Sequence, residues 1–374
     1  MIWVTVSIDL LALAASTAVI TLILAGAVLL LGGRAIFNHL VDRLVGRVLQ
    51  DPYVENLWDL YIGITRMQPH ILLETELRSE YGHGLERPLG GLIREEALVG
   101  VAFNPAQLTR APLPADAPVD LSVTLGSRTN RPLSVAFPVL VAGMGYGIAL
   151  NEAVCQALAR GANHAGTAYC AGSGPLLRSI ATVTDRLILQ YSGGAWTQDP
   201  RVLALADMVE IRFGHGGRAA LGRTISRQDL PAEARAIMET YQDGSGDFRI
   251  DAPLPESTDS RKLKRLVRRL REVTDGAPIA AKLAATNDLE LEMLWLLDAG
   301  VDVIVLDGSQ GGTNQSPPLV ADDFGIPTAH ALQRAATFLR RERLADDVDL
   351  VVSGGLRTPS EVLKVLALGA DAVY

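Results

Sequence analysis

The chain of 374 residues contains little cysteine and has no excess of positive charge. Its two cysteines, Cys155 and Cys170, exclude a disulfide framework and any four-cysteine metal site made within this chain. This cysteine usage fits a reducing compartment. The formal net charge of −8 leaves no broad basic surface for phosphates, which argues against a nucleic acid as the main partner.

Lysine is also scarce, with four residues against thirty arginines. One of the four, Lys282, is the next-to-last residue of the run 277–283. The other residues of this run are apolar, as is typical of a buried strand. A lysine buried on a parallel strand is costly unless it faces a cavity with an anionic partner. We therefore expect Lys282 to stabilise negative charge on a cofactor or a substrate carboxylate. The alternative is a lysine at a strand end that reaches solvent.

Apolar residues, by contrast, are abundant at the start of the chain. The only charged residue in 1–31 is Asp9, and residues 10–31 form an uninterrupted run of apolar and small side chains. At about 1.5 Å per residue, a helix of this length can cross a bilayer core of about 30 Å. Basic residues follow the run, beginning with Arg34, and none precedes it. This charge order predicts a single-pass anchor in the cytoplasmic (inner) membrane with the rest of the protein in the cytoplasm, whereas a cleaved signal peptide would have the opposite order.

The remaining sequence divides by composition into two regions. Residues 32–120 mix short amphipathic pieces with turn clusters and end in the proline-rich linker 111–118, which predicts a membrane-proximal region. From 121 to 374, short apolar runs alternate with amphipathic stretches of helix length, as parallel βα units require. The predicted strands lie near Val139–Ala142, His164–Tyr169, Leu187–Tyr191, Met208–Arg212, Ile279–Leu283, Val301–Leu306, Leu350–Val352 and Ala372–Tyr374. The predicted helices lie near Asn151–Arg160, Ser260–Val273, Leu289–Asp298, Ala329–Arg341 and Ser360–Leu368.

Eight parallel strands with intervening helices predict an α/β fold, the (β/α)8 TIM barrel, with its active site at the carboxyl ends of the strands. A doubly wound open sheet is the alternative, but no GxGxxG motif follows an early strand to support it. The eighth predicted strand comes last in the sequence. We therefore expect the C-terminal closure, a loop and a helix, to be missing from the given chain, or another element to close the barrel.

Two glycine-rich turns follow predicted strands. The sequence 353–358, Ser-Gly-Gly-Leu-Arg-Thr, leads into a helix with Thr358 as N-cap and Pro359 as first residue. Because glycine lets the backbone approach a phosphate and the following N–H groups can donate to it, this turn predicts a phosphate site; the alternative is a plain βα turn. The loop 307–314, Asp-Gly-Ser-Gln-Gly-Gly-Thr-Asn, is too rich in glycine for a packed connection. It predicts a cofactor or substrate against its backbone, the alternative being a flexible loop.

Three further glycine-bearing loops follow other strands, at 143–147, 171–174 and 214–218. Each alone is merely a turn. Together they indicate one flat ligand that is contacted from several sides. His215, in the third loop, is a candidate proton donor or hydrogen-bond partner, and the alternative is a structural histidine.

The order and spacing of these stretches resemble the FMN-binding domain of the glutamate synthase family, from about Asn104 to Tyr374. The stretches that carry the resemblance are Phe103–Leu108, Gly143–Gly147, Asp307–Thr313, Gly325–Thr328 and Gly354–Arg357. The resemblance implies a flavin barrel. It implies FMN phosphate at the 354–355 turn, Lys282 near the pyrimidine edge of the flavin, and the loop 311–313 beside the substrate.

The same resemblance, joined to the turns described above, defines a set of candidate site residues. The candidate FMN-binding residues are Met144, Gly145, Lys282, Asp307, Gly311, Gly312, Thr313, Ser353, Gly354, Gly355 and Arg357. The candidate catalytic residues are Lys282, His215 and Arg218. No metal site is predicted.

The chain also departs from the family pattern. Where such proteins carry Thr-Gly-Glu-Gly-Gly, residues 171–175 are Ala-Gly-Ser-Gly-Pro, so Ser173 replaces the loop carboxylate. Where they carry Gln-Gly-Ala-Lys-Pro-Gly, residues 215–220 are His-Gly-Gly-Arg-Ala-Ala. Cysteines for an iron–sulfur cluster would have to come from a segment beyond Tyr374. No N-terminal nucleophilic cysteine is present, so we expect no glutaminase domain in this chain.

These features predict a stand-alone, membrane-anchored FMN-dependent oxidoreductase of the glutamate synthase-like class, acting on a small amino or oxo acid. An electron-donor partner, ferredoxin or an NAD(P)H-dependent subunit, would supply it. One alternative is another FMN barrel, such as a 2-hydroxy-acid oxidase or an IMP dehydrogenase-like protein, although the latter needs a reactive cysteine that the loop region lacks. The other is a non-catalytic or electron-relay membrane subunit that retains the flavin barrel, which the changes at Ser173 and 214–220 favour.

Overall fold

The computed structural model of the chain describes residues 2–50, 69–81, 98, 100–114, 116–218, 221–242, 246–311, 316, 320 and 323–374. Two compact units are present, Met1–Pro69 and His70–Tyr374. The helices are α1 Ile2–Gln50, α2 Pro69–Tyr81, α3 Glu152–Ala165, α4 Arg178–Ala181, α5 Pro200–Leu203, α6 Ala232–Glu239, α7 Ser260–Val273, α8 Leu289–Ala299, α9 Thr328–Arg341 and α10 Pro359–Leu368. The strands are β1 Val123–Leu125, β2 Leu133–Val135, β3 Tyr169–Cys170, β4 Leu187–Tyr191, β5 Met208–Arg212, β6 Arg223–Ile225, β7 Phe248–Ile250, β8 Ile279–Ala284, β9 Val303–Asp307, β10 Asp349–Ser353 and β11 Ala372–Val373.

The first unit is built on α1, which runs well past the predicted membrane segment 1–31. The first proline of the chain is Pro52, so no proline ends the helix earlier. Among the described residues, no single helix is long and apolar enough to cross a membrane. Ala12–Ala27 and Gly32–Gly46, which meet at 55°, reach the required length and apolarity together. The structure therefore replaces the predicted single span with a longer, bent helix, and a pair of glycines begins its second piece.

The second unit contains, among its described residues, a curled and fully parallel sheet of seven strands in the order β3-β4-β5-β8-β9-β10-β11. Isolated parallel bridges join its two edges, because Val139 pairs with Val373 and Val141 pairs with Tyr169. The predicted α/β, TIM-like architecture is confirmed at this level. The predicted first strand, Val139–Ala142, is present only as these isolated bridges, which agree with the expectation that another element joins the edges. A closing loop and helix after the last strand stay a prediction.

The hairpin formed by β1 and β2 covers the end of this ring where the parallel strands begin, which we call the lower end. Its Leu125, Leu133 and Val135 are buried in the same apolar cluster as Met208 of β5 and Val303 of β9. Because successive residues of a strand point to opposite faces, the sheet residues of this cluster mark the inward face. A second and larger apolar cluster contains the alternate strand residues together with the buried faces of the helices. The barrel thus has an inner core and an outer core, and the site described below stands on the inner one.

Most predicted elements are found within a few residues of their predicted bounds. α7 has the predicted bounds, and α10 begins directly after its predicted N-cap Thr358. The predicted strand 164–169 is wrong in its first part, because α3 continues to Ala165 and ends at Gly166 in the left-handed conformation. The hairpins β1–β2 and β6–β7 are absent from the prediction because three-residue strands are too short to show an alternating pattern.

Aspartates at the lower edge of the sheet fix the starts of its strands. The carboxylates of Asp207, Asp302 and Asp371 each accept a hydrogen bond from the first or second N–H of a neighbouring strand, at 2.7–2.8 Å. Asp349 accepts from the Gly126 amide at 2.6 Å and so ties the β1–β2 hairpin to β10. Burial raises the pKa of Asp349 to about 6, and the negative charges of Asp371 and Asp302 add to this effect.

The variant Asp349→Asn should change how stability depends on pH. The carboxyl titrates near pH 6 in the folded protein and near 3.8 in the unfolded chain, so wild type loses stability as pH rises between these values. The variant keeps an oxygen that can accept from Gly126 but lacks the titration. Relative to wild type, it should therefore gain roughly 1–3 kcal/mol of unfolding free energy from pH 4 to pH 7. Thermal unfolding followed by circular dichroism measures this, and an unchanged difference between the two proteins would contradict it.

Candidate active site at the carboxyl edge of the barrel

The upper half of the barrel interior is polar. On strand after strand, the inward residue of the apolar cluster is followed two positions later by a polar side chain on the same face. These polar residues are Gln190, Glu210, Lys282, Asp307, Ser353 and Tyr374. They lie at the carboxyl ends of parallel strands, which is where barrel enzymes carry their catalytic groups.

Glu210 is held by a chain of neutral hydrogen-bond donors. The Gln190 side-chain amide donates to Glu210 Oε1 at 2.7 Å, and the Tyr374 hydroxyl donates to Glu210 Oε2 at 2.9 Å. The hydroxyl of Ser173 in turn donates to Gln190 Oε1 at 2.6 Å. Both carboxylate oxygens of this fully buried residue are therefore bonded, although neither bond comes from a cation.

Lys282 forms a buried ion pair with Asp307. The Lys282 Nζ lies 3.4 Å from Asp307 Oδ2, and the two side chains are only 9% and 5% exposed. Ser353 donates to the other Asp307 oxygen at 2.6 Å, and the Tyr374 ring centroid lies 5.3 Å from Lys282 Nζ. Burial by itself lowers the pKa of Lys282, but the charges of Asp307 and Glu210 outweigh it and raise this pKa. Lys282 is therefore a charged group inside the barrel and does not reach solvent.

Two arginines add positive charge beside this pair. Arg212 is the cross-strand register partner of Lys282, and its Nη1 donates to the Ser173 hydroxyl at 3.2 Å. Within the described part of the chain, no carboxylate lies within ion-pair distance of Arg212. Burial, followed by the charge of Arg218, lowers the pKa of Arg212 to about 10, so it stays charged at neutral pH. Arg218 is itself buried and donates to the Gly222 carbonyl at 2.9 Å.

His215 is a neutral group at this edge. Burial and the nearby charge of Arg212 lower its pKa to about 4. Its Nδ1 lies 2.8 Å from the carbonyl oxygen of Gly216, which can only accept, so Nδ1 carries the proton. The other ring nitrogen, Nε2, is then an acceptor at neutral pH.

The turn after β10 has the geometry of an anion cradle. Gly354 has φ +119°, and a Cβ there would lie 2.5 Å from Thr328 Oγ1, so only glycine fits. The two amides just before α10 are not available to a ligand, because Arg357 N and Thr358 N donate to the Glu361 carboxylate at 2.7 and 2.9 Å. The amides of Gly354 and Gly355 have no acceptor among the described residues.

The candidate residues Met144, Gly145 and Gly311 also lie at the carboxyl edge of the barrel. A Cβ on Gly172 would lie 2.8 Å from Met144 N, so the loop that carries Met144 and Gly145 packs closely on the loop after β3. Gly311 packs on the Asp307 side chain. Gly312 and Thr313 lie outside the described residues, and their predicted roles stay predictions.

Four residues of the polar layer and its rim are missing from the predicted site residues: Gln190, Glu210, Arg212 and Tyr374. The signal that identifies Lys282, a charged residue inside an apolar parallel strand, is present at Glu210 and Arg212 as well. These two residues alternate with Val209 and Ile211, as inward-facing positions must. The pattern in β5 could therefore have located both.

The buried ion pair generates a stability prediction. Asp307→Asn should destabilise the fold by about 3 kcal/mol, because it leaves the Lys282 charge without its nearest carboxylate. Adding Lys282→Met should restore part of this loss, since the double variant buries no uncompensated charge. Urea unfolding of wild type, both single variants and the double variant gives the coupling energy. Strict additivity of the two single losses would show that the pair has no energetic coupling.

Comparison with known proteins identifies the family. A family model described as a conserved region in glutamate synthase matches residues 106–374. The glutamate synthase large subunit-like protein of Rhizobium meliloti (strain 1021) is 33% identical over 72% of this chain and 61% of its own length. The archaeal glutamate synthase (NADPH) of Archaeoglobus fulgidus is 28% identical over 73% of this chain and 57% of its own.

Among solved structures, a lactate oxidase of Pediococcus acidilactici matches 69% of this chain and 66% of its own, with a TM-score of 0.47 and 16% identity. The chain spans roughly three fifths of the length of the two curated relatives described above. Since the family model covers well over half of the chain, the chain belongs to the glutamate synthase family.

Proposed function

We propose that the barrel unit is an FMN-dependent oxidoreductase that acts on a small amino or oxo acid. The observation that carries the proposal is the charged Lys282 held by Asp307 inside the barrel mouth, beside the glycine turn after β10. A lysine with a purely structural role on a buried strand would need only its anionic partner. The neighbouring amides that lack an acceptor are not explained by such a role, and they indicate a ligand site. Membership of the glutamate synthase family supports the same assignment.

The residues at the mouth fit FMN. The amides of Gly354 and Gly355 have no acceptor among the described residues and could donate to a phosphate group. Ser353 lies at the start of the same turn. Lys282 supplies a fixed positive charge for an electron-rich part of the cofactor. Bound FMN would supply hydride or electron transfer, which no side chain of the site can perform by itself.

The substrate would be recognised through its carboxylate. Arg212 lies at the mouth with only the Ser173 hydroxyl as its hydrogen-bond partner among the described residues, and Arg218 lies close enough to lower its pKa. A substrate carboxylate would supply the anion that Arg212 lacks. His215, neutral and with Nε2 as an acceptor, would take a proton from an amino or hydroxyl group at neutral pH.

Electrons and nitrogen would come from other components. The archaeal relative carries NADPH in its name, and we propose that an NAD(P)H-dependent subunit or a ferredoxin delivers electrons to this chain. Both cysteines are buried, Cys155 in α3 and Cys170 in β3, and cannot act as the nucleophile of glutamine hydrolysis. We therefore propose that this segment does not hydrolyse glutamine. An iron–sulfur cluster would require cysteines from outside it.

We further propose that α1 is held in the cytoplasmic membrane, with the barrel on the cytoplasmic side. In support, large apolar side chains on α1, among them Leu13, Leu22 and Ile23, are exposed in the protein itself. The first basic residue of the chain, Arg34, follows this apolar stretch.

A non-catalytic or electron-relay subunit is the second candidate function. The observation that favours it is Ser173, which stands where the family pattern has a loop carboxylate and which bonds to Gln190 and Arg212. If this loop no longer meets a substrate, the barrel could keep its flavin without turning over an amino or oxo acid.

FMN binding is tested first, with a matched pair of glycine variants. The whole chain should be yellow and release FMN. Gly354→Ala should weaken FMN binding at least tenfold. Gly369→Ala is the control, because Gly369 has nearly the same φ, +117°, but lies at the opposite end of α10. Absorption spectra and flavin titrations measure both. Equal losses in the two variants would remove the turn from the flavin site, and a folded chain that takes up no FMN would contradict the proposal.

The substrate role of the mouth is tested with Ser173→Glu. The new carboxylate would lie beside Arg212 and compete with a substrate carboxylate, so KM for the amino or oxo acid should rise about tenfold or more. Ser173→Ala, which removes the hydroxyl without adding charge, should change KM far less. Steady-state kinetics on a panel of such acids decides between the two functions. No turnover by any of the three FMN-loaded proteins would favour the relay subunit.

A further inference from the structure

A cavity of about 440 Å³ lies on the outer side of the barrel wall, next to the carboxyl edge. Its floor is made by the ends of β5 and β8, and its sides come from α7, α8 and the segment after β7. The lining residues are Phe213, Gly214, Ala252, Pro253, Ser257, Leu263, Leu283, Ala284, Thr286, Glu292, Trp295 and Leu296. The volume is within the range of pockets that bind small molecules.

This cavity borders the mouth, because its Ala284 lies on the same face of β8 as Lys282 while its Leu283 lies on the outer face. Leu283 directly follows Lys282 on β8, and consecutive strand residues point to opposite faces. Gly214 likewise directly precedes His215. A molecule in the cavity would therefore lie next to the charged groups of the mouth.

The hydroxyl groups of the cavity are already bonded to the protein, and Glu292 is the one charged side chain among the lining residues. Thr286 donates to Glu292 Oε2 at 2.7 Å, and Ser257 donates to the Leu254 carbonyl at 2.7 Å. Most of the remaining lining is aliphatic or aromatic. Such a surface offers little to a charged or strongly hydrogen-bonding ligand, which would lose its hydration without compensation.

The apolar surface continues from the cavity onto the exposed face of α8. Leu291, Leu294 and Trp295 follow the i, i+3, i+4 spacing of one helix face and are 51%, 44% and 45% exposed. Trp295 belongs to both the cavity and this face. An apolar molecule thus has a continuous path from solvent or a lipid surface into the cavity.

We infer that this cavity is a binding site for an uncharged, largely apolar small molecule of the kind that dissolves in a bilayer, either a substituted quinone ring or a medium-length acyl chain. The two ligands share the chemistry that the lining selects. The membrane proposed for α1 would be their reservoir. Binding does not depend on FMN, so the site can be tested even where the proposed oxidoreductase function fails.

The test uses the whole chain in phosphatidylcholine nanodiscs without added FMN, titrated with decylubiquinone. The difference in fluorescence between wild type and Trp295→Phe isolates the quenching of Trp295. The quenching should saturate in wild type. Ala252→Phe and Ser257→Phe, which fill the cavity from two sides, should each weaken the apparent affinity at least tenfold. Leu363→Phe, on the exposed face of α10, is the matched control and should leave it unchanged.

Competition by 1-decanol separates the two ligand types. Displacement of the quinone by decanol at comparable concentrations assigns the site to an acyl chain, and failure of decanol to displace it assigns the site to the ring. Quenching that never saturates in wild type reports only partition into the bilayer and would overturn the inference. Equal affinity in wild type and in a folded cavity-filling variant would overturn it as well.

Discussion

The mouth of the barrel depends on one electrostatic constraint, the burial of the Lys282 ammonium group within a parallel sheet. An isolated charge in this position would be strongly destabilising, so carboxylates must accompany it. Asp307 does so directly at 3.4 Å, and Glu210 contributes through its charge. Ser353, Gln190 and Tyr374 then bond the carboxylate oxygens that remain. Much of the polar layer is therefore required as soon as one lysine is placed inside the barrel.

This layer can exist because the lower half of the barrel is apolar and tied down independently. The hairpin β1–β2 fills the bottom of the inner core, and carboxylates at the strand starts fix the register of the sheet. Barrel folds separate a stabilising end from a reactive end in this way. The charges at the mouth need not stabilise the fold, and they can instead be arranged for a ligand.

The sequence predicts the scaffold better than the site. Apolar runs and helix caps give most of the strands and the bounds of α7, because burial and capping are local properties of the chain. The sequence also predicts a strand at Val139–Ala142, but its reduction to isolated bridges with Val373 and Tyr169 is not a local property of the chain. Lys282 is recognisable from its own strand. Its partner residues Glu210 and Arg212 carry the same signal, but their roles follow only from the register between strands.

The charge balance of the mouth supports the proposed anionic ligand. Lys282 is matched by Asp307, and Glu210 is satisfied by neutral donors, whereas Arg212 has no carboxylate partner among the described residues. A carboxylate at position 173, as in the family pattern, would supply that partner. With Ser173 there, the Arg212 charge has only a hydroxyl beside it, and its burial is costly unless an anion enters. Serine at position 173 therefore leaves Arg212 free to pair with the carboxylate of an anionic ligand.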